Sequence, residues 1–266
     1  MTTDDRYLAM LVKAIHVCGS YQPMMGRKNK AGVGLAEFQR LYRTDPFYHW
    51  FGLDNPLMYA AHKAAGGMTS VYRQIGIGAE QLFRQVLQDV LGITAEQAAW
   101  SYPLTGANQK PRTLSLDGRI DLRDVADGPT RKRVSDWLRK ACQSLGVDAG
   151  VTKSLRGAVF EVRQGYKSKD SKRQNADIAN AATAYTKAYL PCLIVLSTQI
   201  DEDVAHRYTG EKWLVLKGVV ADSPLESTYA FFRSVVGYDL QGFFERNSDR
   251  FRKEIDAVLK TLLSTK

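Results

Sequence analysis

Apolar positions recur at three- and four-residue spacing from Ile75 through Ala79, Leu82, Phe83, Val86 and Leu87 to Val90, and the run stops at Gly92. That period predicts an amphipathic helix with Gly92 as its stop and Glu80 near its start. Thr94-Ala-Glu-Gln97 matches a capping box and predicts a short helix after it. A further helix is marked by Pro129 near its start, by Val134, Trp137, Leu138, Ala141 and Leu145 along one face, and by Gly146 at its end. Its opposite face is basic, with Arg131, Lys132, Arg133, Arg139 and Lys140 against Asp136.

Beyond that helix the period changes to two. GVDAGV (146–151) and GAVFEVRQ (157–164) read as two β-strands joined by TKSLR, a hairpin. In the second strand Phe160 and Val162 alternate with Glu161 and Arg163, which places the two charged residues on one face and the two apolar ones on the other. Ser171-Lys-Arg-Gln174 is another capping-box match, continued as a helix by Ile178, Ala181, Ala182, Tyr185 and Tyr189. LPCLIVLS (190–197) is a near-continuous apolar run suited to a central strand covered on both faces. Strand, helix, strand in that order implies parallel pairing with a right-handed crossover. KWLVLKGVV (212–220) reads as one more strand, and the segment from Leu240 to Leu263 as one or two amphipathic helices.

Elsewhere the pattern is weaker. SYPLTGANQKPR (101–112) reads as a loop, and SLDGRIDL (115–122) fits no single element. The first seventy residues mix short helical patterns with the punctuation GRKNKAGVG, DPFYHWFGLDNP and AAGG. The expected fold class is therefore α/β (α+β), a mixed central sheet flanked by helices. The pattern predicts one compact domain, with residues 1–74 as an irregular helical region packed on a core of residues 75–266.

Composition narrows the function classes. The chain has 266 residues, 44% hydrophobic and 24% charged, as ordinary globular proteins do. Cys18, Cys142 and Cys192 are far apart and odd in number, which argues against a disulfide framework and fits a cytoplasmic protein. The N-terminal segment begins acidic and is interrupted by Lys13 and His16, unlike a signal peptide, and no apolar run approaches a membrane span. His16, His49, His62 and His206 are scattered without ligand spacing, which disfavours zinc. G-x-x-x-x-G-K-[ST] and G-x-S-x-G are absent, and IGIGAE lacks the third glycine of a dinucleotide loop, so no nucleotide cofactor is expected.

Charge points to a polyanion. Thirty-seven Lys and Arg against 28 Asp and Glu leave a net charge of +9. The segment from Val151 to Arg173 concentrates Lys153, Arg156, Arg163, Lys167, Lys169, Lys172 and Arg173 against Glu161 and Asp170.

Helix, hairpin, acidic strand, helix and buried strand, with Gly146-Val-Asp148 followed by Phe160-Glu161-Val162-Arg163-Gln164 and the run GYKSKDSKRQNAD, resemble the PD-(D/E)XK nuclease superfamily, in particular type II restriction endonucleases. The resemblance covers residues 75–200. It implies a Mg²⁺-dependent, sequence-specific endonuclease hydrolysing phosphodiester bonds of double-stranded DNA. Asp148 and Glu161 would hold the metal, and Glu80 from the preceding helix would stand near it. Phosphodiester hydrolysis independently calls for a hard cation held by one or two carboxylates. Arg163 stands where the family usually has Lys; it can stabilise the transition state but accepts no proton, so Lys167 or Lys169 would assist. Gln164, Lys167, Lys169, Lys172, Arg173, Gln174 and Asn175 would contact DNA. A homodimer suits a palindromic site, and the resemblance implies a companion methyltransferase.

Each residue also fits a plainer role. Glu161 and Arg163 fit a surface ion pair, Asp148 a turn residue with Asp117 and Asp121 as rival first acids, and Glu80 a solvated position in a helix's first turn. A non-catalytic nucleic-acid-binding protein, or an RNA-directed nuclease with the same core, accounts for the same charge.

Overall fold

The structure, a computed structural model, describes residues 2–25, 32–105, 111–165 and 181–265. It is a mixed α/β protein that divides into two compact units, Met1–Gly78 with Glu245–Lys266, and Ala79–Phe244.

The first unit is helical. Helix α1 (Thr3–His16) opens with a capping box between Thr2 and Asp5. Helices α2 (Leu35–Arg43), α3 (Pro46–Trp50) and the start of α4 (Pro56–Leu91) follow. Ile15, Cys18, Val71, Val258 and Leu262 form one buried cluster, and Val33, Phe38 and Tyr59 another.

The AAGG segment, expected as a break, lies inside α4, which starts at Pro56 rather than Ile75. A Cβ on Gly66 would come within 1.9 Å of the Tyr21 hydroxyl, and one on Gly67 within 2.5 Å of Leu262. These glycines admit close neighbours, and that packing outweighs the roughly 1 kcal/mol each costs in a helix interior. Gly92 does end the helix, with φ +67°.

The second unit holds two sheets. Within the segment expected as a loop, residues 101–105 and 111–112 belong to the antiparallel strands β1 (Trp100–Thr105) and β2 (Pro111–Leu116). The larger sheet is four-stranded, in the order β3 (Gly118–Asp121), β4 (Gly157–Arg163), β5 (Tyr189–Val195), β6 (Leu214–Leu216). β3 runs antiparallel to β4, while β4, β5 and β6 are parallel. β4 and β5 are the inner strands, and every residue of both except Arg163 is buried, as the apolar run 190–197 predicts for β5.

Helix α5 (Ala95–Ala98) carries the predicted Thr94 and Gln97 cap. Between β3 and β4 come α6 (Gly128–Ser144) and α7 (Ala149–Ser154). Residues 181–186 are helical (α8), and α9 (Glu202–Gly210), α10 (Thr228–Phe231) and α11 (Leu240–Leu263) complete the order. One face of the sheet presents Phe160, whose ring centroid lies 5.1 Å from that of Phe83 and 5.7 Å from that of Phe231. The other presents Val159, Leu193 and Val195, packed with Trp100, Tyr102, Ala184 and Trp213.

Candidate active site

Side chains two apart on a strand share a face, and the sheet places Glu161 and Arg163 together on the face of Val159 as the sequence predicts. Because β4 is flanked by strands on both sides, this is no half-exposed surface pair: Glu161 is 6% exposed. The Arg163 guanidinium forms an ion pair with Glu161 Oε1, and the two side chains are only 11% and 8% exposed. A buried carboxylate of this kind is retained only when paired or coordinating.

Asp117 lies in a bend just before β3, ahead of the Gly118–Phe160 pair that opens the ladder. Its Oδ2 accepts a hydrogen bond from the Val162 amide at 2.8 Å, which holds its carboxylate at the end of β4, beside the residue that follows Glu161.

The hairpin expected at residues 146–164 is absent, because residues 149–154 are the helix α7. Asp148 is its N-cap, accepting from the amides of Gly150 (2.7 Å) and Val151 (3.2 Å). Asp148 therefore has a capping role, and the acid held at the end of β4 is its rival Asp117. Period two was present in residues 116–122, where Leu116, Ile120 and Leu122 alternate with Asp117, Arg119 and Asp121.

Glu80 lies well inside α4 rather than in a first turn. It stands one helical turn before Arg84, whose Nη1 donates to the Asp117 carbonyl oxygen at 3.3 Å. Residues at i and i+4 share a helix face, so Glu80 is on the face of α4 that meets β3. Gln164 is partly exposed directly after β4. Lys167, Lys169, Lys172, Arg173, Gln174 and Asn175 lie outside the described residues.

The basic face of α6 is not uniformly free for a ligand. Arg131 donates to the carbonyls of Val125 and Ala126, and Arg133 to those of Val235 and Val236. Lys132 and Arg139 both pair with Asp136.

A second buried carboxylate marks the opposite end of the β3–β4 ladder. Asp121, 1% exposed, pairs across from Gly157. It accepts from the Tyr189 hydroxyl (2.7 Å), from the amide, Nε and Nη2 of Arg123, and from Arg156 Nη2 (2.6 Å). Burial alone would raise its pKa, but the Tyr189 hydroxyl and the Arg123 amide and guanidinium outweigh burial and hold the carboxyl below the ordinary aspartate value. Burial, with the Asp121 hydrogen bond second, pushes the Tyr189 phenol up to about 12.

A divalent cation here would take Asp117 and Glu161 as carboxylate ligands together with substrate phosphate, and it would share Glu161 with Arg163. Among the described residues no group of three His, Cys, Asp or Glu side chains converges as a metal site. Comparison with protein-family models, with curated proteins and with solved structures finds no match to this chain.

Proposed function

We propose that this protein is a divalent-metal-dependent phosphodiesterase acting on double-stranded DNA, with a core of the PD-(D/E)XK nuclease kind. The observation that carries this reading is buried Glu161 paired with Arg163 on β4, with the Asp117 carboxylate held beside them by the Val162 amide. The net charge of +9 supports a polyanionic substrate.

Asp117 and Glu161 would hold Mg²⁺, which when bound neutralises charge on the attacked phosphate and lowers the pKa of a water. The Val162 amide orients Asp117, and Arg84 holds the Asp117 backbone through its carbonyl. Arg163 keeps its proton and can only donate; on arrival of a phosphate its guanidinium transfers from Glu161 to the non-bridging oxygens, where it stabilises the developing charge. This exchange gives one guanidinium two roles. It is a counterion for Glu161 before substrate binds and an electrophile afterwards.

The test is cleavage of unmethylated DNA in Mg²⁺, with EDTA, Glu161→Gln, Asp117→Asn and Asp148→Ala as controls. Discrete products lost with EDTA and in the first two variants, and kept in Asp148→Ala, are the expected result. Absence of products from DNA under any divalent ion overturns the reading.

One observation favours a second reading. Glu161 is already neutralised by Arg163, as suits a protein that binds nucleic acid without cutting it. Such a protein would show salt-sensitive binding and no cleavage.

A further inference from the structure

At the Asp121 end of the β3–β4 ladder lies a cleft of about 570 Å³. Its walls include Arg119, Arg156 and Lys187, with Glu96 as the opposing charge, over a floor of Trp100 and Tyr189. We propose that this cleft holds a backbone phosphate of the nucleic-acid strand, away from the acid pair. The inference rests on the nucleic-acid part of the reading above and not on catalysis.

Two observations carry it. First, the cationic groups are pre-positioned. Arg156 Nη2 is held by buried Asp121 at 2.6 Å, and its guanidinium carbon lies 5.4 Å from the Tyr189 ring centroid. Arg119 is held through Nε by the Gln97 carbonyl at 2.9 Å and through Nη2 by Asp124. A guanidinium has five N–H donors, so each of these anchors engages only part of its fork. Buried Asp121 answers two guanidiniums, those of Arg123 and Arg156, with one negative charge.

Second, the backbone beside the cleft adopts a rare conformation. Ala188, between Lys187 and Tyr189, has φ +64°, and its carbonyl accepts the Arg156 amide at 2.7 Å. This left-handed residue turns the chain from α8 into β5 and brings exposed Lys187 to the rim beside Arg156. Lys187 makes no ion pair among the described residues.

The experiment is fluorescence anisotropy of a labelled duplex in EDTA, where no cleavage occurs, across a series of salt concentrations. Lys187→Ala is expected to weaken binding several-fold at low salt and to reduce the slope of log Kobs against log salt by about 0.9, the value of one lost phosphate contact. Lys187→Glu is expected to weaken it further, and Arg156→Lys, which keeps the charge on Asp121, covers the case in which larger changes at Arg156 unfold the chain. An unchanged slope in the Lys187 variants overturns the cleft proposal and leaves the nuclease reading standing. Displacement of duplex by millimolar inorganic phosphate, through a site lost in Lys187→Glu, would identify a small-anion site and also overturn it. Glu161→Gln separates the two ideas: under the proposed function it loses cleavage and keeps the full salt slope. A wild-type protein that binds no nucleic acid overturns both.

Discussion

The two ends of the β3–β4 ladder use the same ingredients differently. At one end Asp121 is 1% exposed and saturated by a tyrosine hydroxyl, two guanidiniums and an amide. At the other, Glu161 is 6% exposed and answered by Arg163, with a second carboxylate, Asp117, held by the amide of the next residue, Val162. One aspartate among several donors is an anchor. Two carboxylates at one strand end carry an electrostatic cost that a cation relieves, and that difference separates a structural site from a candidate reactive one.

The comparison can be broken most forcefully at the reactive end. Under the proposed function Asp117→Asn and Glu161→Gln each lower the cleavage rate by at least about 10²-fold, read from single-turnover kinetics. Glu161→Gln also leaves the Arg163 charge without its carboxylate, so its fold should be checked by circular dichroism beforehand.

The anchor end is expected to respond in stability. Asp121→Asn takes the carboxylate from Arg123 and Arg156, whose charges water still reaches, and weakens the buried hydrogen bond from Tyr189, at a cost of about 1–3 kcal/mol; urea unfolding measures it. Titration sharpens the same point. The folded-state value of Asp121 lies below the ordinary 3.8, so its stabilisation is present above that pH and is lost as pH falls through the depressed value. Tyr189 behaves in the opposite sense, because its pKa is raised from 10.0 to about 12. Its contribution is complete below pH 10 and disappears as pH rises toward about 12, where Tyr189→Phe should flatten the loss.

Smaller effects test the two remaining assignments. Asp148→Ala removes an N-cap and should cost about 1 kcal/mol with cleavage retained, whereas a metal ligand there would abolish it. Ala188→Gly relieves a left-handed backbone at a non-glycine residue and should stabilise by about 1 kcal/mol, visible as a raised urea midpoint.

Much of the core was readable from period alone. β4, β5 and α6 follow the apolar spacing closely, and i, i+2 alternation correctly puts Glu161 beside Arg163. The site was readable only in part, because partnership across a sheet depends on register that no single strand encodes. A Gly-Val-Asp start and nearby turn residues favoured a local hairpin, but Asp148 prefers to cap a helix, and β4 takes its antiparallel partner from before α6. α4 was misjudged for a related reason: Gly66 and Gly67 look like breaks until the Tyr21 and Leu262 side chains that need their space are placed beside them. The strand character of 101–105 lay behind Pro103, which sits in the β1–β2 hairpin opposite Thr113.

The wiring of β4 also governs how quickly the molecule can assemble. Gly157 must find Asp121 across the whole of α6 and α7, and must find Tyr189 across a second long connection, before the inner strand is covered. Neither contact is local, so closing these loops is an entropic expense met before burial repays it. Refolding of the second unit should therefore fall toward the millisecond-to-second range of non-local sheets. Changes at Gly157, where a Cβ would come within 1.9 Å of the Ile120 carbonyl, should slow refolding as well as hasten unfolding.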